Sequence, residues 1–396
     1  MNQRQGKQQP PAQPLCDRIL TMPATPRIAI VGSGPGGLVC ARVLQRHGIP
    51  VTVLEREATP DSRSQGGTLD IREDTGQVGL RAAGLLDEFL ALSRPEGQEM
   101  RLIDRSAALV RHHQPEPGDT GAPEIDRGQL RTLLLDSLTP GTVRWDHSVE
   151  KTVPLPDGTV RLEFTRGTAE EFDLVVGADG AWSRVRPALS DAQPAYSGVT
   201  FVEVHFDDVD RRFPAIAERV GQGTMWAKAG RLSLIAQRNA GSHIRAYIAF
   251  RGPLDWHSGI DPADTEAVRA CLLGMYEGFD ESLLDLMRQN DGAFVNHPVF
   301  VLPVPHTWQR VPGVTLLGDA AHLMPPVGVG ANLAMLDGAE LAQAVIDRPG
   351  VDDAVAAYED VMLARSAEQA GTAAAILSAL MPDTDSTEPA FPDFLG

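Results

Sequence analysis

Residues 28–56 read IAIVGSGPGGLVCARVLQRHGIPVTVLER. Ile28 to Val31 predict an apolar strand, and Gly32, Gly34, Gly36 and Gly37 punctuate the turn that follows it. A helix then runs to a stop at Gly48, and a second apolar strand ends on Glu55 and Arg56. Strand, glycine turn, helix, strand and terminal acid in this order predict a dinucleotide-binding βαβ unit.

Each position has a physical task in that unit. Gly32 makes the tight exit from the strand, Gly34 lets backbone approach a pyrophosphate, and Gly37 lets helix and strand pack closely. Pro35 stands at the first helical position, where its missing N–H costs nothing. The helix aims its N-terminal amides at a diphosphate, and Glu55 can accept both hydroxyls of a ribose while repelling a 2′-phosphate.

Two later segments repeat the strand-then-turn pattern. Residues 173–186, DLVVGADGAWSRVR, place Asp179 and Gly180 just beyond an apolar strand. Residues 313–337, GVTLLGDAAHLMPPVGVGANLAMLD, place Asp319 at the carboxyl end of another strand, then a loop with Pro325, Pro326 and Gly328, then a helix from about Gly330. Open parallel sheets bind ligands at such strand ends. His322 reads as a structural histidine on the turn in preference to a general base.

Together the three segments resemble the class A FAD-dependent monooxygenases, the aromatic-hydroxylase family. The likeness is greatest to its tetracycline-inactivating branch, through GGTLDI (66–71), PEIDRGQLRTLLLDSL (123–138) and GDAAHLMPP (318–326). The resemblance implies an α/β fold: a Rossmann-like FAD-binding domain of the p-hydroxybenzoate hydroxylase type, an inserted antiparallel substrate sheet and a C-terminal helix. It implies FAD held through Gly32, Gly34, Pro35, Gly36, Gly37, Glu55, Arg56, Asp70, Arg127, Asp179, Asp319, Pro326, Gly328, Gly330 and Asn332. Asp319 would accept from the ribityl chain, and Arg127 would lie along the FAD linker. NADPH or NADH would be a transient co-substrate, with Arg63 either touching it or standing as a solvated loop arginine. By the same resemblance, one atom of O2 enters a polycyclic or aromatic small molecule through the flavin C4a-hydroperoxide, in antibiotic biosynthesis or inactivation. No side chain then serves as a catalytic nucleophile and no metal is needed, because the cofactor carries the hard step. Val329 departs from the glutamine usual at its position.

Composition narrows the setting. The net charge is −18 over 396 residues, which disfavours nucleic acid and anionic membranes as partners. No run of eighteen apolar residues predicts a membrane span, and the N-terminal stretch lacks the apolar core of a secretory signal. Cys16, Cys40 and Cys271 are odd in number and share no metal spacing, which predicts a reducing cytoplasm and no structural disulfide; a monomer is expected.

The expected layout is a disordered leader (1–26), a discontinuous FAD domain (27–75, 100–190 and 305–347), a substrate domain (76–99 and 191–304) and a bridging helix (350–380). Asp74 with Gln77, and Asp126 with Gln129, have capping-box spacing ahead of apolar helical runs. From about 197 to 304 the pattern alternates, as in VTFVEVHF and HIRAYIAF, which predicts half-exposed antiparallel strands.

Alternation puts Glu203 and His205 on one face of their strand and Arg245 with Tyr247 on one face of theirs. Against the tetracycline-inactivating branch, Glu203 and Arg245 replace a neutral amide and a histidine, which implies a different substrate. An exposed ion pair is the other reading of Glu203 and Arg245, and core packing the other reading of the pocket-wall candidates Met225 and Trp226. A non-redox cyclase or binding module on a flavin fold is the alternative function. It has no reason to keep Asp319, the prolines and the glycine helix start together.

Overall fold

The computed structural model describes residues 25–62 and 66–383. Most of the leader (1–24) and Arg63 therefore lie outside the described residues.

In chain order, β1 (Ile28–Val31), α1 (Pro35–Arg46) and β2 (Val51–Leu54) form the βαβ unit. A short ribbon strand β3 (Thr68–Asp70), α2 (Gly76–Ala83), α3 (Leu86–Leu92) and the hairpin β4 (Met100–Asp104) and β5 (Leu109–His113) follow. The second ribbon strand β6 (Glu124–Asp126), α4 (Arg127–Asp136) and β7 (Val143–Arg144) lead into a meander of β8 (Val149–Pro154), β9 (Val160–Phe164) and β10 (Glu170–Phe172), then β11 (Leu174–Gly177). The chain next builds β12 (Ala195–Phe206), α5 (Val209–Arg212), α6 (Pro214–Val220), β13 (Thr224–Ala229), β14 (Leu232–Asn239) and β15 (His243–Arg251). It continues with α7 (Thr265–Met275), α8 (Glu281–Arg288) and β16 (Val295–Val301), and returns through β17 (Val314–Leu316), α9 (Asp319–His322), α10 (Gly330–Asp347) and α11 (Val351–Leu380).

A parallel sheet in the order β17-β11-β1-β2-β7 forms the first body. Its strands read as unbroken apolar runs because both faces are covered, as parallel sheets require. α1 buries Leu38, Val39, Val43 and Leu44 against it and stops at Gly48, whose φ of +74° suits the left-handed position after a helix. The second body is a seven-stranded sheet ordered β16-β12-β15-β14-β13-β4-β5. One face packs on α6, α7 and α8 through Val202, Val204, Ile244, Ala246, Leu272 and Leu283. α11 spans both bodies: Val355, Tyr358 and Met362 join the first core, while Leu377 and Leu380 pack with Val199 and Ala249.

The division of the chain differs from the expected one in two places. Residues 76–99 do not belong with the substrate sheet: Leu80, Ala83, Leu85 and Phe89 lie in the core of the first body. Residues 100–113, expected in the FAD domain, instead join the second sheet, where β4 pairs parallel with β13 in the register Leu102 to Trp226.

Neither capping box forms. Gln77 donates to Ile71 O and Thr120 O, both at 2.8 Å, and the cap residue of α2 is Thr75. Asp126 does cap α4 by position, but its carboxylate turns to Arg94, Asn239 and the Ala240 amide.

Candidate functional site

Because β11 lies between β1 and β17, the three glycine and aspartate turns emerge side by side at one edge of the parallel sheet. The register brings Val31 beside Gly177 and Gly177 beside Leu316. Gly32 holds a φ of +107°, and a Cβ there would stand 2.4 Å from Ala178 O, so the first turn fits against the second only as glycine. At Gly34 nothing lies within 4 Å of where a Cβ would be. Gly34 caps α1 without a side chain, and the first helical amides receive no side-chain acceptor.

Glu55 sits at the end of β2 and is 8% exposed. Its Oε2 accepts from Ser33 N at 2.8 Å and Ser33 Oγ at 2.6 Å, and Oε1 accepts from Glu57 N at 3.0 Å. Burial pushes its pKa up, but these bonds and nearby Arg131 outweigh it and hold the carboxyl below its ordinary range. Arg131 escaped the sequence reading. From α4 it donates to Ser33 Oγ and Glu57 Oε2, both at 2.9 Å. Its spacing of four from Arg127 was the available signal. Arg56 is exposed.

In the second turn, Asp179 accepts from Arg184 N at 2.6 Å while its Oδ1 is buried without a protein partner, and burial raises its pKa. Arg186, 2% exposed, ties this turn to the next by donating to Ala181 O at 2.7 Å and Ala320 O at 2.8 Å. The sequence reading gave it no task. In the third turn Asp319 is exposed, and its carboxylate makes no hydrogen bond to the described residues. The start of α10 faces it: a Cβ on Gly330 would stand 3.7 Å from Asp319 Oδ1. α10 has no side-chain cap, so its first amides also lack intrahelical partners.

The β3–β6 ribbon completes this side. Asp70 pairs with Arg72 at 3.0 Å beside Gly328. Asn332 is 1% exposed, and its side chain is fully engaged: it accepts from Arg72 N at 2.9 Å and donates to Asp70 O at 2.8 Å and Gly328 O at 3.2 Å. It therefore positions the loop, and only its backbone amide remains for a ligand. Pro326 is exposed on the same loop, and Arg127 is exposed at the start of α4 beside Gly66.

Glu124 lies opposite Asp70 in the ribbon and also went unremarked in the sequence. Burial, with smaller contributions from Asp70 and Asp126, pushes its carboxyl up to about 7 against the bond from Thr68 Oγ1. A raised carboxyl contributes its full stability below the ordinary value of 4.5 and loses it as pH climbs to about 7. Glu124→Gln cannot ionise, so between pH 5 and 8 it should escape a loss of about 3 kcal/mol that the unaltered protein suffers. Urea unfolding at the two pH values measures this, and equal pH dependence in both proteins would refute it.

The substrate-side candidates lie on the face of the second sheet opposite its helices. Glu203 pairs across with Tyr247, and His205 with Arg245, so all four side chains share that face. Gly67 approaches it closely: a Cβ there would stand 3.1 Å from Tyr247 Oη and 3.3 Å from Arg245 Cδ. Arg245 Nη1 donates to Glu203 Oε1 at 2.6 Å, with Glu203 8% and Arg245 9% exposed. The exposed ion pair considered from sequence is thus a buried one. His297 Nε2 lies 3.5 Å from Glu203 Oε2, and His205 Nδ1 lies 3.7 Å from Oε1. Burial raises the Glu203 pKa, yet His297 and Arg245 bring it down to about 2.

Met225 is corrected. It pairs with Ala236 and sits 1% exposed in the helix-side core, while its neighbour Trp226 pairs with Ile235 on the Glu203 face. Core packing explains Met225, and it lines no pocket on that face.

Strand-end turns converging on an open glycine cradle, with an unpartnered carboxylate and two uncapped helix starts, define a dinucleotide-binding protein of the flavoprotein type. A family model described as FAD binding domain matches residues 25–366. Monooxygenase penA of Penicillium thymicola is 30% identical over 403 residues, covering 85% of this chain and 90% of the relative. The 3-amino-4-hydroxybenzoate 2-monooxygenase PtmB3 of Streptomyces platensis is 32% identical over 359 residues, covering 87% and 85%. Klebsiella pneumoniae HpxO, solved with FAD and uric acid, superposes with a TM-score of 0.77 at 20% identity over 90% of this chain and 89% of that one. The tetracycline destructase Tet(51) does so at 0.67 and 20%, covering 91% and 92%. The chain belongs to the FAD-binding family of flavin-dependent monooxygenases.

The residues present fit FAD. The space at Gly34 admits a diphosphate against the α1 amides, and the free Asp319 carboxylate can accept from a polyol chain. No helix among the described residues is long and apolar enough to cross a membrane, and no group of three or more His, Cys, Asp or Glu among them is placed to hold a metal ion.

Proposed function

We propose that this chain consumes NADH or NADPH to insert one atom of O2 into an aromatic or polycyclic natural-product-type small molecule, reducing the other atom to water. The balance is substrate-H + O2 + NAD(P)H + H⁺ giving substrate-OH + NAD(P)⁺ + H2O. Bound FAD supplies the hydride acceptance and the oxygen activation. The observation that carries the reading is the convergence of the three turns around an exposed, unpartnered Asp319.

In this reading Gly32, Gly34 and Gly37, with Pro35 and Gly36 opening α1, hold the diphosphate at the helix start. Glu55, oriented by Ser33 and Arg131, receives the adenosine ribose. Asp179 and Asp319 face the middle of the cofactor. Asp70, Arg127, Pro326, Gly328 and the Gly330 to Asn332 amides surround its ring end, and the positive end of α10 favours negative charge there. Glu203, Arg245 and Tyr247, with Trp226 in place of Met225, face the substrate. The Glu203–Arg245 pair differs from the groups implied for tetracycline binding, so tetracycline is not the preferred substrate. The free thiols Cys40 and Cys271 suit a cytoplasmic setting, and a monomer suffices because the described chain brings all these groups together.

The test is the visible spectrum of the purified protein, followed by anaerobic addition of NADH or NADPH. Bound oxidised flavin that bleaches with one of them and is released by acid supports the reading. Protein that binds flavin but is reduced by neither overturns the NAD(P)H assignment. For the site, Asp319→Ala should weaken FAD binding by about 1 to 3 kcal/mol, the range for a hydrogen bond to a charged group; unchanged affinity by dilution of the holoprotein would remove Asp319 from it.

A further inference from the structure

Behind Asp319 lies a buried charge network that the cofactor does not touch in the reading above. Asp337 of α10 is 1% exposed. Its Oδ2 accepts from the Gly318 amide at 3.0 Å and from His322 Nε2 at 2.6 Å. Its Oδ1 accepts from Arg365 Nη2 of α11 at 2.8 Å, and Arg365 also grips Glu340 through two bonds, of 2.8 and 2.7 Å. Gly318 immediately precedes Asp319 and holds a φ of +57°, a conformation that its amide bond to Asp337 helps to fix. One carboxylate thus joins the flavin-side turn, the helix that faces it and the helix that spans both bodies.

We propose that Asp337 is the positioning residue for Asp319, and that His322 and Arg365 act through it to set FAD affinity without touching FAD. This rests on the assignment of Asp319 to the cofactor. The physical reason is that a buried carboxylate has to be matched by cations and donors, and that once matched it restrains every group bonded to it. Losing Arg365 leaves Asp337 short of a partner, and the Gly318 amide and Asp319 then shift together.

Two further observations support this. Burial lowers the His322 pKa but Asp337 overcomes it and raises the ring above its ordinary 6.5, while His322 and Arg365 bring Asp337 down against its own burial. Each partner thus favours the charged form of the other. His322 Nδ1 is buried without a protein partner, beside a cavity lined by Leu302, His306 and Ser366, so no second acceptor fixes its proton. The charged and titratable groups around the ring are Asp319 on its own element, Asp337 on α10, Arg365 on α11, His306 before β17 and Arg186, which donates to Ala320 O, with Glu340 and Tyr358 beyond them. The stabilising charge on His322 is complete below 6.5 and is lost as pH rises through the raised value.

The experiment dilutes holoprotein at a series of pH values and follows released flavin by fluorescence. In the unaltered protein the dissociation constant should rise as pH climbs above 6.5. Arg365→Gln should raise it roughly 5- to 150-fold at pH 7, the span of an ordinary coupling between sites, and Arg365→Lys should recover part of the loss. His322→Gln should flatten the pH dependence. Glu359→Ala, which removes the acceptor shared by Trp308 and Thr315 and so loosens α11 there instead, serves as the control: it should lower the unfolding midpoint while leaving the dissociation constant of the folded protein and its pH profile in place. If Asp319→Ala weakens FAD but Arg365→Gln and His322→Gln change neither affinity nor pH profile, the positioning role is wrong and the site assignment stands. If Asp319→Ala itself has no effect, the site assignment fails first.

Discussion

Gly338→Ala should lower stability by about 3 kcal/mol and leave the protein unable to retain FAD. A Cβ at Gly338 would stand 2.2 Å from Gly36 O and 3.1 Å from Cys40 N. The reciprocal contact is equally close, with a Cβ at Gly36 falling 2.4 Å from Ala334 O. α1 and α10 therefore cross backbone to backbone, and neither partner is the far end of a flexible side chain that could swing away. The crossing also fixes how the start of α1 lies relative to the start of α10, so forcing the helices apart misplaces both sets of free amides at once. Gly371→Ala in α11 gives the opposite sign: nothing lies within 4 Å of its Cβ position, and a helix-interior alanine there should stabilise by about 0.5 to 1 kcal/mol. Urea midpoints of the two variants, measured with flavin content, decide the matter. An unchanged midpoint and full flavin in Gly338→Ala would show that the crossing yields more easily than the geometry allows.

What could be read from the residues alone follows from how local each determinant is. The first turn was legible because Gly32, Pro35 and Glu55 act within a few residues of themselves, through a strand exit, a helix start and a strand tip. The strand-then-turn pattern marked Asp179 and Asp319, the resemblance implied their part in holding FAD, and β11 between β1 and β17 puts their turns beside the first. The β4–β5 hairpin was assigned to the wrong body because its partner β13 lies more than a hundred residues away, and alternation says nothing about which sheet a strand joins. The capping boxes failed for a related reason: Asp126 and Gln77 had partners on distant segments that satisfied them better than the local amides. Met225 shows the limit of the two-residue period, which separates the faces of a strand without saying which one meets the helices. Arg131, Arg186 and Glu124 carried no local signal strong enough to mark them, since their tasks exist only once separate turns meet.

Arg245→Ala should cost about 3 to 5 kcal/mol of stability, because it strands the Glu203 carboxylate in a buried position with its main cation gone. His297, at 3.5 Å, still holds the carboxyl down, but neither it nor His205, at 3.7 Å, matches the permanently charged 2.6 Å bond. Removing both charges, as in Glu203→Gln with Arg245→Met, should be far milder than the sum of the single changes, since a buried pair can be exchanged for neutral groups of similar size. The pH dependence has a definite sign. A carboxyl lowered from 4.5 to about 2 contributes stability that is present above 4.5 and is lost as pH falls toward 2, a difference of about 3 kcal/mol. That loss should be absent in the double variant. The same pair shares its face of the sheet with Tyr247, so on the proposed function the double variant should keep its FAD and its oxidation of NADH or NADPH without substrate, while turnover of the true substrate falls. A double-mutant cycle in urea at pH 7 and pH 3 measures the first claim, and additive single effects would sink it. A normal Michaelis constant for the true substrate in the double variant would show that the pair holds the sheet together and does not recognise what lies against it.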